Sequence, residues 1–293
     1  MNTTQIKAGF KKEWLQYMRT FRFWGVLIAI LSFGIADPLM YKSIAVMMSY
    51  MPDMLSASLI PAAASMAGEM AGGDVFEQMT ALYNNAGIIY SVTLSGICTG
   101  ATLVCMLILM SPAGGERKKR ATIIPAASGL DYFNYLLPKY VIYPCTIFAA
   151  SFVAAVAGGF LCKAMFTEGV FSVGTIMLAS LLAAVYCVFI IAVYITLGVC
   201  TSRPGIATVS VYFGANITQV LLQGFELSQY NPFTLLFLVT GDMFSEEFVL
   251  ADNIASIAVA IVLSIVISVL LFFLASTVLK ANKINNQEDR PEF

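Results

Sequence analysis

Gly114–Lys139 reads GGERKKRATIIPAASGLDYFNYLLPK, with cations at Arg117, Lys118, Lys119, Arg120 and Lys139. On its N-terminal side, Ala86–Met110 runs for 25 residues without a charge, and on its C-terminal side Tyr140–Cys162 runs for 23. About 20 apolar residues cross the hydrocarbon core of a bilayer, so this stretch is a polar island between two membrane spans. Short loops so rich in Lys and Arg stay on the cytoplasmic side. Ile123–Leu137 mixes apolar residues with Asp131 and Asn134, which predicts one or two short helices lying under the membrane. Such a loop is a topology signal, and aromatics bounded by cations also suit a docking surface for a cytoplasmic partner.

Composition agrees with a membrane chain. Of 293 residues, 59% are hydrophobic and 11% charged, against about 25% charged in globular domains, and the mean hydropathy is +0.83. The remaining spans fall at 23–40, 173–199, 206–223 and 254–279, making six with 86–110 and 140–162. With loops assigned to alternate sides, fourteen of the sixteen Lys and Arg lie inside and only Lys42 and Lys163 outside, whereas eleven of the seventeen acids lie outside. Both termini are therefore expected inside. The six cysteines lie in or beside apolar runs without a CxxC pair, as packing residues do. There is no His, which removes the commonest metal ligand and general base.

Before the first span, Thr4–Phe21 places Ile6, Phe10, Trp14, Tyr17, Met18 and Phe21 at helical spacing beside Lys7, Lys11, Lys12, Arg19 and Arg22. This predicts a basic amphipathic helix in the membrane surface, apolar face down. Phe23–Ala36 behind a basic region also has the outline of a signal peptide, with Gly34-x-Ala36 as a cleavage site. The long basic region and the return of apolar residues at Leu39-Met40-Tyr41 favour a retained span, broken near its outer end by Asp37-Pro38. Residues 41–85 form an acidic outer segment; eight of the fifteen methionines fall between Met40 and Met79. Thioethers bind Cu(I), but methionine is also an adaptable filler, and no bound metal is expected.

The second span carries Ser91, Ser95, Thr99 and Thr102 on one face, with Gly96 and Gly100 beside them as a GxxxG that reads as packing within the chain. The fifth is the most polar: Tyr212, Asn216, Gln219 and Gln223 recur at four, three and four residues and share one face. Amides in lipid need partners or a wet cavity, so this face either bonds another helix or lines a polar pathway. Phe233–Val239, after Asn231-Pro232, is too short to span and predicts a re-entrant or interfacial helix. The tail, 280–293, is polar.

No Asp, Glu, Lys, Arg or His lies in the central part of any span after the first, which argues against an ion-coupled carrier or an intramembrane hydrolase. No GxxxxGK[ST] occurs, so the chain does not bind ATP through a P-loop. A membrane subunit that borrows its energy remains.

The Glu-Arg-Lys opening, the small-residue turn, the aromatic-rich segment and the closing Lys resemble the first cytoplasmic loop of ATP-binding-cassette exporter permeases of the second type. Glu116 and Lys139 sit at that family's separation. The sequence departs from it at Arg120-Ala121, where Gly-Thr is preferred, and at Gly129, where Pro is usual. The resemblance implies an all-α integral membrane protein: six transmembrane helices, an N-terminal elbow helix (4–21), a cytoplasmic coupling helix within 114–139 and a re-entrant segment before the last span. It implies ATPase coupling through Glu116, Arg117, Leu130, Asp131, Tyr132, Phe133 and Lys139. Ser91, Ser95, Thr99, Tyr212, Asn216, Gln219 and Gln223 would form the route or dimer face. The implied partners are a second permease, membrane lipid and a pair of cytoplasmic ATPase subunits carrying ATP and Mg²⁺; no enzyme activity, cofactor or nucleic acid is expected of this chain. The location implied is a bacterial plasma membrane. The competing expectation is a non-transporting scaffold or sensor that recruits a partner through the basic loop.

Overall fold

The computed structural model describes residues 3–50, 82–115, 132–201, 203–224, 230–244 and 248–288. Glu116, Arg117, Leu130 and Asp131, and most of the methionine-rich segment, lie outside the described residues. Among the described residues nine α-helices follow one another: α1 (Thr3–Arg19), α2 (Phe21–Tyr50), α3 (Ala86–Ser95), α4 (Thr102–Ile108), α5 (Tyr132–Met165), α6 (Val173–Thr201), α7 (Pro204–Gly224), α8 (Thr234–Thr240) and α9 (Leu250–Glu288). A π-helical turn, Gly96–Ala101, joins α3 to α4, and a second, Ser111–Gly115, follows α4. Among the described residues six stretches are long and apolar enough to cross a membrane: Phe21–Met47, Ala86–Ile108, Tyr132–Met165, Val173–Thr201, Pro204–Gln223 and Leu250–Ala281. The chain is a helical, multi-pass membrane protein, as its hydropathy predicts.

The helix α6 is the axis of the bundle, packing against α5, α7, α8, α9 and the end of the second span. Its sequence suits that place, because it is apolar all round and small residues such as Ala179, Ala183 and Ala184 are fully buried. Two tyrosines fasten it to the second span: Tyr90 Oη lies 2.9 Å from Ser180 Oγ, and Tyr194 Oη donates to the Met106 carbonyl at 2.7 Å. Asn85 starts α3, its Oδ1 accepting from Gly87 N and Ile88 N at 2.9 and 3.1 Å. Beside it Gly169 has φ +61°, where a Cβ would be strained and would also strike Asn85.

The expected break at Asp37-Pro38 is absent, and α2 continues through Pro38. Proline cannot donate to the carbonyl four residues back, here that of Gly34. That oxygen lies against α5, where a Cβ on Gly158 would sit 2.8 Å from it. In return, a Cβ on Gly34 would sit 2.5 Å from the Ala154 carbonyl oxygen. Two backbones in contact shelter the freed carbonyl, which is how membrane helices tolerate proline. Pro138 in α5 repeats the arrangement, since the Asn134 carbonyl faces Gly9 of α1, whose Cβ position is 3.4 Å away.

The third span also begins earlier than the hydropathy run. Of the short helices expected over Ile123–Leu137, residues 123–131 lie outside the described residues, while residues from Tyr132 onward belong to α5, with Tyr132, Phe133 and Lys139 on its first turns. The GxxxG of the second span serves packing within the chain. Gly96 receives the Asp37 side chain and Gly100 the Phe33 ring, at 2.5 and 2.6 Å from their ideal Cβ positions. Phe233–Val239 becomes the short helix α8, buried from Leu235 to Val239 against α3, α6 and α9. Before it, Asn231 Oδ1 accepts from Phe233 N at 2.8 Å, a turn that starts the helix. All six cysteines are free, and Cys98, Cys105, Cys162 and Cys187 are buried.

Candidate functional site

Two clusters of polar side chains stand out. The first is a cleft where the second and fifth spans converge. Cys98 and Thr99 come from the π-helical turn, Thr102 and Met106 from α4, Tyr186 and Ile190 from α6, and Val211, Tyr212, Ala215, Asn216 and Gln219 from α7. Its cavity volume is about 20 Å³, room for about one water molecule. Thr99 Oγ1 donates to the Ser95 carbonyl at 2.7 Å, Thr102 Oγ1 to the Ile97 carbonyl at 3.1 Å, and Asn216 Nδ2 to the Tyr212 carbonyl at 2.7 Å. These bonds to their own helices quiet the polar groups without filling the cleft.

The structure thus brings together Thr99, Tyr212, Asn216 and Gln219. It leaves Ser91, Ser95 and Gln223 apart. Ser91 Oγ donates to the Ile88 carbonyl at 2.8 Å, and Gln223 is exposed near the end of α7. The π turn explains part of the division. An extra residue in a turn rotates the residues after it by about 100° relative to a regular helix, so Ser91 and Ser95 no longer share a face with Thr99 and Thr102. Sequence periodicity assumes an unbroken helix and cannot see this. Gly96 and Gly100 are the available signal of an irregularity.

The second cluster is a buried charge pair. Lys139 Nζ, on α5, lies 3.8 Å from Glu13 Oε1 on α1, with side chains 1% and 6% exposed. Lys139 also donates to the Pro112 carbonyl at 3.1 Å and stands 4.7 Å from the centre of the Tyr135 ring. The Tyr143 hydroxyl donates to the same Glu13 oxygen. One turn along α1, Tyr17 Oη lies 3.1 Å from Thr146 Oγ1, and its ring meets Tyr143 edge-on at 4.9 Å. Burial pushes the Tyr17 phenol up to about 12, partly opposed by the Thr146 hydrogen bond. The sequence patterns above single out neither Glu13 nor Tyr143. Glu13 is the only acid before Asp37, and its spacing of four residues from Gly9 and Tyr17 is the signal that could have found it.

This cluster changes the setting of three loop residues. Lys139 is buried and ties α1 to α5 and to the end of the second span. Phe133 is not an exposed aromatic, because its ring packs on Phe272 and Phe273 of α9 with centroids 5.0 and 6.3 Å away. Tyr132 is half-buried. Part of the apolar face expected for α1 is turned inward: Tyr17 is fully buried and Phe10 packs on the core. Trp14 and Phe21 of that face, and Leu15 beside it, are exposed.

No family model, curated protein or solved structure matches this chain.

Proposed function

We propose that the chain is the permease subunit of an ATP-binding-cassette exporter, forming a translocation route while a separate ATPase subunit supplies energy from ATP and Mg²⁺. The observation that carries the proposal is the polar cleft at the π turn. Polar groups from the second and fifth spans meet there, at an irregularity of the kind that gathers at functional sites in other helices. With room for about one water, the cleft is a closed route, and transport requires α7 to move relative to the second span. A second permease covers α7, and the basic loop opening at Glu116 carries the ATPase. The contact then rests on Leu130 and Tyr132, since the Phe133 ring packs on α9. Cargo of an amphipathic kind, a peptide or a lipid-like drug, suits walls without central charge.

The test is co-expression with a candidate cassette ATPase. The expected result is a complex that survives purification and hydrolyses ATP in a vanadate-sensitive manner only when this chain is present. An ATPase whose activity and recovery are the same with and without the chain would return the molecule to the scaffold alternative.

A further inference from the structure

We propose that the outward face of α1, together with the α1–α2 corner, binds the headgroups of anionic phospholipids. The proposal does not depend on the exporter reading. Glu13 is the only acid in the first 36 residues, and it is withdrawn into the bundle beside Lys139. The outward side of α1 is therefore of one sign: Lys7, Lys11, Lys12 and Arg19 are all exposed. Among the described residues none of these four, nor Arg22, forms an ion pair. Arg22, half-buried in the corner, has an Nη1 shut away from solvent with no hydrogen-bond partner among the described residues.

Large apolar groups stand among these cations. Trp14, Phe21 and Trp24 are 44%, 73% and 56% exposed, and Leu15 is 40% exposed. Tryptophans settle at the level of the lipid headgroups, and this cluster surrounds the entry to the first membrane-crossing helix. The cations are thus held where phosphates lie. The Phe10 and Tyr17 side of α1 is spent on packing, so the helix is fixed to the bundle by its apolar seam. Its attraction to the bilayer rests on the outward charges and the interleaved Trp14 and Leu15. A zwitterionic headgroup offers the phosphate but cancels it with its own ammonium; an anionic headgroup does not.

Trp14 and Trp24 are the chain's only tryptophans, so intrinsic fluorescence reports this surface directly. The full chain is reconstituted in phosphatidylcholine bilayers containing a fixed fraction of lipid brominated near the headgroup. The brominated lipid is phosphatidylglycerol in one series and phosphatidylcholine in the other. Quenching is expected to be stronger with brominated phosphatidylglycerol. The relative affinity should fall by roughly fivefold for each cation neutralised by Lys7→Gln, Lys11→Gln, Lys12→Gln, Arg19→Gln or Arg22→Gln. It should be kept by Lys7→Arg, Lys11→Arg and Lys12→Arg. Equal quenching by the two lipids in the unaltered chain overturns the proposal, as does a preference that persists when all five cations are replaced. A preference abolished by millimolar inorganic phosphate at constant ionic strength would mark a free-phosphate site and also overturn it. The unaltered chain supplies an arm independent of folding. Raising salt from 0.1 to 1 M shortens the screening length from about 10 to about 3 Å, and the preference must shrink; a salt-independent preference refutes it.

Discussion

The helices α5 and α7 both carry polar residues among apolar ones, and they accommodate them in opposite ways. In α5, 44% of the most apolar stretch is buried, and four of its polar groups have partners on other helices: Lys139 with Glu13, Tyr143 with Glu13, Thr146 with Tyr17 and Tyr140 with Thr196. In α7 only 17% is buried, although its mean hydropathy of 1.4 is the lowest of the six. Its Asn216 bonds to its own backbone, and Gln219 borders a nearly closed cleft. The outer side of α7, with Val209, Phe213, Ile217 and Val220, is exposed. A helix whose polar groups are matched across an interface is fixed by them. One whose amides turn to its own backbone or to a cleft is held less tightly by them. The difference places more of the fold's stability on α5 than on α7.

The largest expected effect tests the α5 side. Lys139→Met leaves the Glu13 carboxylate buried beside a thioether, and removing one partner of a buried pair costs about 3–5 kcal/mol. Adding Glu13→Gln should restore most of that loss, since two neutral groups need no counter-charge. Unfolding in detergent micelles measures both. A single variant as stable as the unaltered chain would mean that the pair does not fasten α1 to α5.

A smaller effect separates the two helices by their glycines. Gly158→Ala puts a methyl 2.8 Å from the Gly34 carbonyl oxygen, and the backbone of α2 must give way, at a cost of about 1–3 kcal/mol. Gly214→Ala in α7 meets nothing within 4 Å and should stabilise by roughly 0.5–1 kcal/mol through the entropy of the unfolded chain. If Gly214→Ala instead weakens the protein as it assembles in the membrane, α7 is in contact with a second chain at that point.

How much of this is legible in the sequence differs between the same helices. Hydropathy places all six spans, because a membrane-crossing helix needs only length and uniform apolarity. The stripe Tyr212, Asn216 and Gln219 is also legible, because α7 is a regular helix and its period holds. The early start of α5 is not legible. Asn134 and Lys139 look like loop chemistry until the Asn134–Gln5 hydrogen bond of 3.2 Å and Glu13 provide partners more than a hundred residues away. Pro38 misleads in the same way, because the sheltering groups for its lost bond are on α5. Local patterns reveal local periodicity; a polar residue satisfied at long range looks like a boundary.

Tyr17 gives an effect of about 1 kcal/mol. Tyr17→Phe removes the hydrogen bond to Thr146 and keeps the ring against Tyr143, and a net hydrogen bond contributes about that much. It also carries a pH signature. The native phenol holds its proton up to about 12, whereas the unfolded chain releases it near 10. Between those values the native state binds more protons, so the Tyr17 contribution is complete below about 10 and is lost as pH rises towards 12. The stability gap between the unaltered chain and the Tyr17→Phe variant should narrow across that window. A gap that stays constant would mean that Tyr17 is open to water.

The smallest effect on stability is expected where the largest effect on function is proposed. Asn216 spends its amide nitrogen on the Tyr212 carbonyl one turn back, and Gln219 lies at the margin of the cleft. Neither fastens α7 to a neighbour as Lys139 fastens α5. Asn216→Leu and Gln219→Leu should therefore change unfolding stability by no more than about 0.5 kcal/mol, as substitutions away from packed and paired groups do. Each removes a polar group from a cleft that holds about one water, and should alter the passage of amphipathic cargo. Transport per folded molecule, or its substrate range, is then the quantity that moves. If both variants lose several kcal/mol and the surviving molecules transport normally, the cleft is packing. The contrast between a fastened α5 and a less tightly held α7 would then fail at its functional end.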